Sequence, residues 1–168
     1  MSKKRIIFNW IIFGLAIAVN IFIIVNACLD GATSTKESNG FSHAMADVIN
    51  SVSEDTITEK NFPEFAGFNR KLFGHFALFA LSGLLTTFSI HNFSKDKKLG
   101  KYYFVALFSM GFGIVVAAFS ELCQLWTKDR GPQFTDVLID CGGYLLGLLI
   151  VIIPVLILYC KKAKLTKN

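Results

Sequence analysis

Residues 136–159 read DVLIDCGGYLLGLLIVIIPVLILY, an apolar run whose only charged side chains, Asp136 and Asp140, stand in its first two turns. At about 1.5 Å of rise per residue such a helix is longer than the roughly 30 Å hydrocarbon core of a bilayer. A spanning segment of this composition must be a helix, because only there does the backbone satisfy its own polar groups in lipid.

Working outward, three further stretches have the same character: 6–29, 72–91 and 102–126. The first is uncharged, the second has His75 near its beginning, and the third finishes on Glu121 and Gln124. With 53% hydrophobic residues and seventeen phenylalanines, the composition is that of an integral membrane protein. A mean hydropathy of +0.52 agrees. The predicted fold is all-α: one polytopic membrane domain over 1–168, a four-transmembrane-helix bundle with an extracytoplasmic loop at 30–69.

Lys3-Lys4-Arg5 before an apolar run is also how a secretory signal begins. This run is too long for one, and Val25-Asn26-Ala27-Cys28 is a poor cleavage site, so retention as a transmembrane helix is expected. Orientation follows from the loops. Lys3, Lys4 and Arg5, then Lys95, Lys97, Lys98 and Lys101, then Lys161, Lys162, Lys164 and Lys167 place eleven of seventeen basic residues on one side. Both termini are expected to be cytoplasmic. The loop 30–69, with seven carboxylates against Lys36 and Lys60, falls on the other side with Lys128, Asp129 and Arg130. The +5 net charge is thus topogenic and does not suggest nucleic-acid binding.

Within 30–69, Met45, Val48, Ile49 and Val52 recur at helical spacing after Ser42, which predicts a short amphipathic helix capped by that serine. Asn61-Phe62-Pro63 is expected to end regular structure, with Phe62, Phe65 and Phe68 at the interface. The helix is either a tethered surface element or a lid over the polar residues of the spans.

Those polar residues fall at one depth. Alternating direction brings Arg70, Lys71 and His75, then Glu121 and Gln124, then Asp136 and Asp140 to the same extracytoplasmic end. Lys71 and His75 are four apart, as are Asp136 and Asp140, so each pair shares a face of an α-helix. Charge inside a membrane is costly and usually marks function. His75, Glu121 and Asp136 are the candidate catalytic set, since an imidazole beside carboxylates can move protons. Arg70, Lys71, Gln124, Arg130 and Asp140 are the candidate ligand-binding set, the guanidiniums presenting planar forks to phosphate or carboxylate.

The competing reading is that the charges only pair to hold the bundle, although Gly142, Gly143 and Gly147 already offer close helix packing. The other half has only neutral Ser82, Thr86, Thr87 and Ser109, with His91 at the boundary, which favours a one-sided site over a through-pathway. No internal repeat supports a transporter, and no phosphate-cradling loop, nucleophile elbow or Cys-x-x-Cys is present. Cys28, Cys123, Cys141 and Cys160 read as small apolar residues, with a Cys123 to Cys141 disulfide open. No metal and no cofactor are expected.

Asn69-Arg70-Lys71…Gly74-His75-Phe76, Ser120-Glu121-Leu122-Cys123-Gln124, and Asp129-Arg130…Phe134-Thr135-Asp136…Asp140…Gly142-Gly143…Gly147 together resemble the VanZ-like family of small membrane proteins. The resemblance implies a multi-pass protein of a bacterial cell membrane, associated with teicoplanin-type glycopeptide resistance or cell-envelope homeostasis. The implied partners are membrane lipids or lipid-linked cell-wall precursors. Two positions depart from the family pattern: Asp140 stands where asparagine is more frequent, and Lys71 lies four rather than three residues before His75. Three functions stay open at this point: binding or modification of an anionic lipid, a transporter or flippase component, and a non-catalytic structural protein. The oligomeric state is open as well.

Overall fold

The computed structural model describes residues 3–94, 99–128 and 130–165; Lys95, Lys97, Lys98, Asp129 and Lys167, used above, lie outside them. Four helices are long and apolar enough to cross a membrane: Lys3–Ala27, Phe62–Phe93, Leu99–Gln124 and Phe134–Leu165. The described residues contain no strand, and the chain is an all-helical multi-pass membrane protein.

Helix α1 is Lys3–Ala27 and α2 is Gly31–Val52. The second spanning segment is one rod in three parts: α3 (Phe62–Asn69), a π-helical stretch (Arg70–Ala77) and α4 (Leu78–Phe93). Helices α5 (Leu99–Gln124) and α6 (Phe134–Leu165) complete the bundle. The boundaries shift by two to six residues from the hydropathy limits, except that the second span begins ten residues earlier than expected, at Phe62. The third span stops at Gln124, where Leu125 and Trp126 form a turn, and the fourth continues to Leu165 because its basic tail is still helical.

Two expectations about the loop 30–69 are corrected. Ser42 is not a cap. The cap lies twelve residues earlier, at Asp30, whose carboxylate accepts from the Thr33 amide at 2.7 Å, while Ser42 is buried mid-helix and accepts from Asn69 Nδ2 at 3.4 Å. Pro63 does not end structure either. It lies in the first turn of α3, where a missing N–H costs nothing and the fixed φ already suits a helix. The ring of Phe62 stacks on His43 of α2 at 4.0 Å between centroids, so this phenylalanine ties two helices together.

Helix α6 packs directly on the second rod. A Cβ on Gly143 would overlap the Phe76 carbonyl, and one on Gly147 would overlap the Ala80 carbonyl, so the backbones approach as only glycine permits. Gly142 is different: its nearest neighbour would be the Phe76 ring at an ordinary 3.8 Å. Ile23, Phe79, Val116, Ala117 and Tyr144 form the central apolar cluster.

Most hydroxyl groups in the half that holds both termini satisfy one another, while His91 Nδ1 at its boundary is buried without a hydrogen-bond partner. Thr87 and Ser109 hydroxyls are 2.6 Å apart, Ser109 and Tyr144 hydroxyls 3.1 Å, and Ser82 donates to Asn20 Oδ1 at 3.0 Å. Lone polar groups there would cost several kcal/mol each, roughly, in a hydrocarbon setting, and these have partners.

Candidate functional site

The opposite end of the bundle is built where the C-termini of α1 and α5 meet the N-terminus of α6 and the π-helical stretch. Lys71 and His75, four apart, meet the same carboxylate, Asp136, as their shared face requires, and the π-helical stretch also carries Arg70 and His75. Both line a cavity of about 390 Å³, within the usual range for small-ligand sites. Lys71 sits at its edge, its ammonium 3.7 Å from Asp136.

His75 is the hub. Its Nδ1 lies 3.0 Å from Asp140 Oδ1, and its Nε2 lies 3.8 Å from Asp136 Oδ2. The i, i+4 spacing on α6 therefore does place both aspartates against one imidazole. Asp140 is wholly buried, and its second oxygen has no hydrogen-bond partner among the described residues.

Glu121 is buried and held from two sides. Gln124 Nε2 donates to one carboxylate oxygen at 2.6 Å, and the Gln133 backbone N–H donates to the other at 2.9 Å. The Ser-Glu-x-x-Gln block thus works as a clamp across the last turn of α5, fastened to the loop before α6.

The two arginines behave differently from the carboxylates. Arg130 donates to the Asn26 carbonyl at 3.0 Å and the Leu29 carbonyl at 3.4 Å, bracing the loop before α6 against the open C-terminus of α1. Arg70 Nε is buried with no hydrogen-bond partner. Burial, and then the like charge of Arg70, hold the Arg130 guanidinium below its ordinary pKa, against the opposing pull of Glu121 and Asp136. Among the described residues neither arginine has a carboxylate within 4.0 Å.

All eight sequence-derived candidates therefore gather in one place. Arg70, His75, Glu121, Gln124, Arg130 and Asp140 line the cavity, and Lys71 and Asp136 adjoin it through ion pairs. Sequence reasoning missed Asn26 of α1, Asn69, and the α2 wall formed by Ser34, Glu37, Ser38 and Phe41. The α2 residues recur at i, i+3, i+4 and i+7, so the periodicity was present but mixed in polarity. The Gly31 amide donates to the Lys128 carbonyl at 2.9 Å, which pins the start of α2 over the cavity.

His75, Glu121 and Asp140 each offer one ligand-type atom within 4.8 Å of the others, a set that could hold a metal ion. The donors already have protein partners: His75 binds Asp140, and both Glu121 oxygens accept hydrogen bonds. The cluster is coherent as a hydrogen-bonded network. The Cys123 to Cys141 pairing is not formed; all four thiols are free, and Cys123 on the α1-facing side of α5 meets Cys28 instead.

A family model described as VanZ/LLP1 matches residues 10–158, most of the chain. No curated protein and no solved structure matches it.

Proposed function

Because the chain belongs to the VanZ/LLP1 family of membrane proteins, we propose that it recognises the anionic head group of a lipid or lipid-linked cell-wall molecule at the extracytoplasmic face. The observation that carries this reading is an imbalance of partners. Each carboxylate of the cluster has a cation, imidazole or hydrogen-bond donor beside it in His75, Lys71, Gln124 or the Gln133 amide, even though Asp136 Oδ1 and Asp140 Oδ2 accept no hydrogen bond, whereas the two guanidiniums converge on the same cavity with no carboxylate within 4.0 Å among the described residues. Two neighbouring cations left without an internal anion suit an external one.

Arg70 and Arg130 are the anion-binding residues in this reading, with Lys71 drawing the head group toward the rim. His75, oriented by Asp140, faces the cavity and is the group placed to give or take a proton; Glu121 and Asp136 surround it. Placement at the extracytoplasmic face rests on the Lys/Arg distribution. The family's tie to glycopeptide resistance fits a protein whose ligand belongs to the cell envelope.

The test is lipid retention by the purified full chain carrying Arg70→Ala and Arg130→Ala. Loss of bound anionic lipid with an unchanged melting temperature supports recognition. Retention of the lipid sinks it. A structural role has its own support, since His75 and Lys71 join the second rod to α6 through Asp136 and Asp140. That reading expects the arginine variants to lose stability and not lipid.

A further inference from the structure

Three carboxylates are shut away from solvent at this end of the bundle: Glu121, Asp136 and Asp140, which are 3%, 4% and 0% exposed. Their neighbours do not balance them. Among the described residues, Lys71 alone of the lysines and arginines comes within 4.0 Å of any of the three, at 3.7 Å from Asp136, and its side chain is 42% exposed. His75 adds at most one further positive charge. Uncompensated negative charge at a buried site is costly, and a cation among the carboxylates removes that cost.

The donors are already grouped as ligands of one ion. His75, Glu121 and Asp140 each bring a nitrogen or oxygen to within 4.8 Å of the other two. His75 Nδ1 and Asp140 Oδ1 are 3.0 Å apart. Two donors about 2.1 Å from one ion and at right angles to each other lie about 3.0 Å apart, so this pair has the span of two adjacent ligands. The other ring nitrogen, Nε2, is 3.8 Å from Asp136 Oδ2, which places a carboxylate behind the imidazole. Ligating histidines take such a partner on the second nitrogen, and it turns the lone pair of the first toward the metal.

The hydrogen bonds of the cluster leave the ligand positions available. Glu121 accepts one bond on each oxygen, from Gln124 and from the Gln133 amide. A carboxylate oxygen has two lone pairs, so these bonds orient Glu121 and still leave each oxygen able to coordinate. Asp140 carries an independent sign of a missing partner. Its side chain lines the cavity, and its buried Oδ2 accepts no hydrogen bond among the described residues.

We propose that His75, Glu121 and Asp140 bind one divalent transition-metal ion, Mn²⁺ or Zn²⁺, with Asp136, Gln124 and the Gln133 amide holding the ligands in place. Carboxylate oxygens suit Mn²⁺ and imidazole suits Zn²⁺, whereas a nitrogen ligand disfavours Ca²⁺ and Mg²⁺. Three protein ligands leave coordination positions open, and all three line the cavity that Arg70 and Arg130 also line. The proposal goes beyond the head-group reading and does not depend on either arginine.

The experiment titrates Mn²⁺ into the purified full chain, stripped with a chelator, in detergent at neutral pH and without added lipid. Free Mn²⁺ is read by electron paramagnetic resonance. About one ion should bind per chain, and the bound ion should show nitrogen modulation from an imidazole, lost in His75→Gln. Asp140→Asn and Glu121→Gln, which keep the shape of each side chain, should each weaken binding by at least about a hundredfold, and Gln124→Ala by about 10–100-fold. Zn²⁺ should displace the bound Mn²⁺ at concentrations at least about tenfold below those of Ca²⁺.

Mn²⁺ held equally well by the Asp140→Asn and Glu121→Gln variants would put the ion on the acidic loop 30–69 and overturn the site. So would a wild-type chain that binds no Mn²⁺, or whose bound Mn²⁺ lacks nitrogen modulation, a readout that needs no variant to fold. Ca²⁺ competing as well as Zn²⁺ would overturn the choice of ion. Because no lipid is present, none of these outcomes depends on the head-group reading, and loss of lipid from the arginine variants tests that reading separately.

Discussion

Asp140→Asn and Asp140→Ala should have very different consequences, although both remove the same buried charge. The carboxylate is fully buried, accepts or shares one hydrogen bond with His75 at 3.0 Å, and leaves its second oxygen without a partner. Alanine deletes the acceptor and strands His75 Nδ1 beside two remaining carboxylates. Hydrogen bonds to charged groups contribute about 1.5–3 kcal/mol. Taking about 2 kcal/mol as the cost, a chain of this size loses about 4–8 °C in melting temperature.

Asparagine keeps an oxygen facing His75 and exchanges a charged hydrogen bond for a neutral one, a loss of about 1 kcal/mol. Removing one of several neighbouring buried carboxylates offsets part of that loss, so the Asn variant should lie within about 2–4 °C of wild type. Thermal unfolding in detergent, followed by the fluorescence of Trp10 and Trp126, measures both. His75→Ala combined with Asp140→Ala should be less destabilised than the sum of the single changes by more than about 0.5 kcal/mol. Equal losses for the Asn and Ala variants, or additive single changes, would refute the idea that the His75–Asp140 bond holds this end of the bundle together.

Gly147→Leu should prevent assembly of a stable bundle, since its Cβ alone meets the Ala80 carbonyl, while Gly142→Ala should unfold within about 1 °C of wild type; gel-filtration recovery and melting temperature check the contrast. The α2 cap is the exposed pH-sensitive element: the Thr33 amide hydrogen bond lowers the Asp30 pKa from its ordinary 3.8. With the folded pKa depressed, the cap's contribution is complete above the ordinary carboxylate range and is lost as pH falls through the lowered value. Protection factors of the Ala32 to Ser34 amides should therefore drop on acidification below pH 3.8 and stay low at all pH values in Asp30→Ala.

Hydropathy alone located the spans because lipid leaves so few backbone choices, and the errors are confined to their ends. The loop 30–69 was harder. A serine before an apolar stripe has the chemistry of a cap, yet Asp30 is as good a cap and begins a longer helix whose polar half faces the site. Proline after Phe62 carries opposite meanings before and inside a first turn, and only the fold chooses between them. The side chains of the site were legible one by one, since charges in apolar helices stand out. Their partnerships were less so. Counting by fours put Lys71 with His75, and both do reach Asp136, but it did not show that Arg70, five residues before His75 in the π-helical stretch, lines the cavity with it. The Gln133 backbone clamp on Glu121 has no sequence signal, because every residue but proline carries an N–H.

The distribution of partners bears directly on transport. A carrier moving a charged head group across the bundle would need polar groups free to meet it at each depth. Here the buried atoms without a hydrogen-bond partner lie at the two ends and not between: Asp136 Oδ1, Asp140 Oδ2 and Arg70 Nε near the cavity and His91 Nδ1 at the other end, while one turn beyond Asp140 on α6 the phenol of Tyr144 closes the bundle centre by bonding to Ser109. Ser109 in turn bonds Thr87, and Ser82 and Thr86 are taken by Asn20. Passage would require breaking several of these bonds in a region without an ionisable replacement.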